Sequence, residues 1–230
     1  MEILNHIKKI KNEKVWEDAN LSDEYNQIYS ELYETLEWEY NSGNNFPRIL
    51  EYIDKAHKIG ERDLKKVPRE NYIKSAAHIL MLEDQTVLFC ERILEKIYGF
   101  SEEGVNYKRE IYNYTTDIKE LDKIAERSIK IVKSSIKKDI KYYQHLLKKA
   151  NLEDTKSNIV EHLSELRTAL NNIKTLQEIA KSDKKINLDD IRIFYLIRSS
   201  INLCDHKYAD YVLLMDVIRD RKGKIRGDKK

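Results

Sequence analysis

The chain has 230 residues, 36% charged and 41% hydrophobic, and its 42 basic and 40 acidic side chains leave a formal net charge of only +2. That length suffices for a substantial core, and the recurrence of Ile, Leu and Tyr throughout excludes general disorder. A membrane span is excluded as well, because no run of about 18 uncharged apolar residues occurs.

Glycine and proline are scarce, with 6 and 2 residues. These residues supply most tight turns and bulges, so their scarcity predicts long helices joined by few loops. The fold class expected is all-α: a bundle of about seven helices with a long antiparallel helical hairpin. Residues 2–18 read as a first amphipathic helix rather than a secretory signal, since MEILNHIKKIKNEK lacks an apolar run before a cleavage site. Ser22, followed by Asp23 and Glu24, caps a second helix that Ser42-Gly43-Asn44-Asn45 ends. Pro47 opens a third helix that Gly60 is expected to close.

Pro68 starts a helix over about 69–98 whose apolar residues cover much of its circumference, which places it at the centre of the fold. Glu83-Asp84-Gln85 interrupts that apolar surface, and a buried carboxylate there needs a partner from another helix. Gly99 and Gly104 bracket a turn, and Tyr107–Tyr114 reads as either a short helix or an irregular connection. A helix from Thr116 to about Ala150, a turn over Asn151–Ser157 and a helix to about Lys181 make the hairpin. The second arm places Ile159, Leu163, Leu166, Leu170 and Ile173 near a seven-residue repeat. Asn187 begins a last helix to about Asp220. Residues 1–220 therefore read as a single all-helical domain and 221–230 as a basic, disordered tail. Cys90 and Cys204 form neither a disulfide framework nor a metal cluster, and the compartment expected is cytoplasmic.

Charge is polarised along the chain. Residues 17–54 carry ten acidic side chains against Arg48 alone, and residues 127–149 carry eight basic side chains against Asp139 alone. At about 100° per residue, Lys130, Lys137, Lys141 and Lys148 fall within about 20° of one line, about 27 Å long. Lys133 and Lys138 flank them and Tyr142 lies close by. Such a row suits the phosphates of a nucleic acid, which give affinity without sequence reading. It equally suits a solvated helix face, or docking on an acidic protein surface such as 17–54 of this chain or of a second copy.

The acidic segment holds Glu31-x-x-Glu34 and, after sixteen residues, Glu51-x-x-Asp54. Residues three apart share a helix face, so two antiparallel helices would bring four carboxylates together, a donor set for Mg²⁺. In spacing the pair resembles the motif of the all-helical nucleoside-triphosphate pyrophosphohydrolases, the family of the MazG and dimeric dUTPase enzymes. That resemblance covers about 24 residues and implies Mg²⁺-dependent hydrolysis. It departs from the family after Asp54, where Lys55, Ala56, His57 and Lys58 replace a more apolar run.

Asp54-x-x-His57 has no second copy, as a di-iron bundle would need, and His78 reads as a core histidine. Arg198 and His206 stand one residue too far apart for the motif of the helical HEPN ribonucleases. The sequence therefore leads to a helical interaction or adaptor protein, or complex subunit, whose basic face contacts an acidic partner. The partner expected is a protein or a second copy, with nucleic acid the specific candidate, and no membrane. The alternative is the Mg²⁺-dependent hydrolase; apart from that Mg²⁺ no cofactor is expected.

Overall fold

The computed structural model describes residues 21–43, 45–181 and 209–227, and among these every regular element is an α-helix. The expected helix over 2–18, the start of the last helix at Asn187, Cys204, Arg198 and His206 lie outside the described residues. The chain divides into two compact units, Met1–Asp117 and Ile118–Lys230.

In the first unit α1 spans Asp23–Ser42, α2 Phe46–Lys66, α3 Tyr72–Ile97 and α4 Glu102–Asn113. Ser22 is extended at φ −68°, ψ 154°, and its hydroxyl accepts from the Tyr25 N–H at 3.2 Å, as expected of an N-cap. Asp63 of α2 accepts from both the backbone N–H and the hydroxyl of Ser22, which fixes where α1 begins against α2. At the other end Gly43 takes φ 70° and donates to Glu39 O, the left-handed stop that glycine adopts without strain. The Glu39 side chain, fully buried, then accepts from Asn45 N at 2.7 Å and closes the loop into α2.

Gly60 does not end α2, which continues to Lys66. A Cβ at Gly60 would lie 2.9 Å from Cε2 of Tyr25, so this glycine lets α2 approach α1 closely rather than capping it. The next helix begins at Tyr72 rather than at 69, after a turn that follows Pro68. Gly99 (φ 52°) donates to Leu94 O and stops α3. The segment left open in the sequence is helical: the Ser101 hydroxyl accepts from Gly104 N at 3.1 Å and starts α4, so Gly104 lies inside a helix and not in a turn.

Helix α3 packs on all three other helices of the unit. The aromatic side chains of this core meet in tilted and edge-to-face pairs. Tyr25, Tyr29 and Tyr33 follow one another along α1 with ring centroids 4.9 and 6.0 Å apart, and Tyr33 meets Phe89 of α3 at 5.9 Å. Cys90 is a free, fully buried thiol whose pKa is pushed up by that burial.

His78 is buried on α3, and burial, assisted by Lys74, lowers its pKa from 6.5 to about 4. The native state therefore refuses a proton that the unfolded chain accepts. Its contribution to stability is full above pH 6.5 and is lost as the pH falls from 6.5 to about 4. The expected loss is about 3 kcal/mol. His78→Gln should flatten the pH dependence of stability between pH 7 and 4.5, measured by denaturant titration; equal slopes in variant and wild type would contradict it.

In the second unit α5 spans Ile118–Lys149, α6 Glu153–Lys181 and α7 Ala209–Gly227. Helices α5 and α6 form the expected antiparallel hairpin, with the turn confined to residues 150–152 because Glu153 and Asp154 already make an acidic first turn for α6. Leu163, Leu166, Ala169, Ile173 and Leu176 are the buried seam of α6, while Ile159 and Leu170 are half-buried. Helix α7 packs on both arms through residues such as Tyr211, Met215 and Ile218. It continues past Asp220 to Gly227, so most of the segment expected as a disordered tail is helix. The reason is tertiary: Arg221 and Lys222 are only 2% and 4% exposed, and the Lys222 ammonium donates to Asp122 of α5.

Candidate functional site

The lysine row lies on α5. Leu121, Ile129, Val132 and Ile136 turn one side of that helix into the core, and Lys130, Lys137, Lys141 and Lys148 are exposed away from it. None of the four makes an ion pair with a described residue. Lys138 and Tyr142 are also exposed, Lys133 half-buried. From residue 137 through the turn to residue 162 no side chain is fully buried, so the far end of the hairpin is surface on most sides. An aromatic chain crosses that end. Tyr142 meets Tyr143 edge-on at 5.4 Å, and Tyr143 meets His162 of α6 edge-on at 4.4 Å. His162 is in turn 3.2 Å from Glu165.

The carboxylate quartet is arranged differently from its expected convergence. Glu31 and Glu34 line an open groove of about 560 Å³ with Trp38, Asn45, Arg48 and Tyr52. Arg48 is bonded to the Tyr52 hydroxyl at 3.1 Å, and this bond, with the nearby Glu31 and Glu51, holds its pKa above the ordinary value. Glu31 accepts from Gln27 at 3.0 Å, while Asp54 accepts from Lys58 at 2.6 Å one turn along α2. Glu51 is exposed. Among the described residues no three His, Cys, Asp or Glu side chains are grouped to hold a metal ion. The cation nearest Glu31 and Glu34 in that groove belongs to the chain itself, Arg48. Millimolar Mg²⁺ is therefore expected to leave the melting temperature unchanged, and a reproducible rise would contradict this arrangement.

A third cluster lies inside the first unit. Glu83 is 7% exposed, and its carboxylate accepts from Thr116 Oγ1 at 2.9 and 3.1 Å and from Thr116 N at 3.3 Å. His57 Nδ1 lies 3.1 Å from Glu83 Oε1, and its Nε2 lies 3.6 Å from Glu61. The partners that the sequence required for a buried carboxylate thus come from α2 and from the chain just after α4. A cavity of about 10 Å³, room for one water, adjoins Glu83 and His57. The cluster acts as a polar tie between α2, α3 and residue 116.

No family model, curated protein or solved structure matches this chain. Of the three arrangements, the groove already holds a cation of the chain, Arg48, beside Glu31 and Glu34, and the Glu83 carboxylate is tied to Thr116 and His57. The α5 row alone presents several like charges of which none is in an ion pair with a described residue. Of the acids of α5 beyond its first turn, Asp122 and Asp139 are half-buried, and Glu126 is exposed one turn before Lys130. Among the described residues no helix is long and apolar enough to cross a membrane.

Proposed function

We propose that the protein is a helical interaction module whose basic α5 face binds an acidic partner, and that this partner is a nucleic acid backbone. The observation that supports it is the row Lys130, Lys137, Lys141 and Lys148, exposed, without a described ion pair, and spread over about 27 Å of one helix. Ammonium groups so placed contact successive phosphates, and affinity arises from the counterions released. Lysine is a point charge rather than a planar fork, and the row reads no base edge, so binding is independent of sequence.

The test is fluorescence anisotropy of labelled DNA and RNA at about 50 and 200 mM salt. Binding that weakens steeply with salt supports the proposal. Absence of binding to every strand at the lower salt overturns it, and salt-sensitive self-association in its place would assign the row to an acidic protein face.

A further inference from the structure

Beside the lysine row, about 100° round the helix from Lys141, α5 carries one feature that phosphate contacts leave unused. Tyr142 is 59% exposed, and it stands on the basic end of the hairpin. Lys138 is four residues before it, hence one turn away on the same side, and both are exposed. The ring is braced: Tyr143 abuts it at an interplanar angle of 78°, and Tyr143 is held by His162 on the other arm at 4.4 Å. A ring fixed by its neighbours, with more than half its surface open, loses little freedom when a second flat group lies on it.

We propose that the ligand of this face is a single-stranded nucleic acid, with Tyr142 as the platform on which one base stacks while the lysines hold the flanking phosphates. This deepens the reading of the α5 row given above and rests on it. The choice of a single strand follows from the chemistry. A duplex keeps its base faces inside its own stack, so it offers Tyr142 nothing but backbone, whereas an unpaired strand offers a π-face at every residue. Stacking on an aromatic ring is tolerant of base identity, which agrees with a row that reads no base edges. The phenol hydroxyl is not needed for the contact; the ring is.

The probes are a labelled mixed-sequence single strand of about 20 nucleotides and the same sequence as a duplex. The expected result is tighter binding of the single strand than of the duplex, and a loss on the order of tenfold for the single strand alone in Tyr142→Ala. Tyr142→Phe and Tyr142→Trp should bind as the wild type does. Because the side chain is exposed, the variants should keep the wild-type melting temperature. If Tyr142→Ala binds the single strand unchanged while Lys137→Gln with Lys141→Gln weakens it, stacking is overturned and the phosphate reading survives. Equal binding of strand and duplex overturns the preference in the same way. If neither probe binds, both readings fall, and binding instead to vesicles of anionic lipid would mark the face as one for a lipid surface.

Discussion

Glu83→Ala is expected to destabilise the first unit by about 3–5 kcal/mol, the cost of removing one member of a buried charged network. Three terms add. Thr116 loses the acceptor for its hydroxyl and its backbone N–H, His57 loses its inner partner, and the vacated volume joins the existing water-sized cavity. Glu83→Gln should fall between wild type and alanine, because it keeps an acceptor for the Thr116 hydroxyl yet points two donors at groups that also donate. Denaturant titration followed by circular dichroism measures this. A change below about 1 kcal/mol for the alanine variant would show that the cluster is not what ties residue 116 to α3.

The second large effect concerns binding. Replacing Lys130, Lys137, Lys141 and Lys148 together by glutamine is expected to lower affinity for a single strand at least about a hundredfold at 50 mM salt. Glutamine keeps the helix propensity of lysine closely, and all four positions are exposed without a described ion pair, so the melting temperature should not change. Separating these two readouts matters, since a basic helix that merely kept the chain folded would lose stability instead of binding. A variant with wild-type affinity would return the row to a solvated face.

Local chemistry was the part of the fold that the sequence made visible. Ser22 before two acids and Gly43 after a polar run each have one dominant role, and each occupies it. Gly60 looked the same on paper, but its role is decided by Tyr25 of another helix, which no local window contains. Gly104 was misplaced for a related reason, since the Ser101 cap that draws it into α4 outweighs its turn propensity. The tail over 221–230 looked disordered by composition, and only the approach of Asp122 explains why Lys222 is buried within a helix.

The candidate site divides along the same line. The periodicity of the α5 lysines is a property of one helix, so their common exposure could be read from spacing. The carboxylate quartet depended on how two helices face each other: on α2, Lys58 pairs with Asp54, and Arg48 stands in the groove lined by Glu31 and Glu34. For Glu83 the need for a distant partner was legible, while the identity of His57 and Thr116 was not, because both are remote in sequence.

The measurement that bears most directly on the central claim is the salt dependence of single-strand binding, taken as the slope of log Kobs against log salt for wild type and the quadruple Lys→Gln variant. Four phosphate contacts on a single strand predict a slope of about −3 for the wild type and one close to zero for the variant. A wild-type slope near zero, or equal slopes for the two proteins, would contradict the assignment of Lys130, Lys137, Lys141 and Lys148 to the nucleic acid backbone.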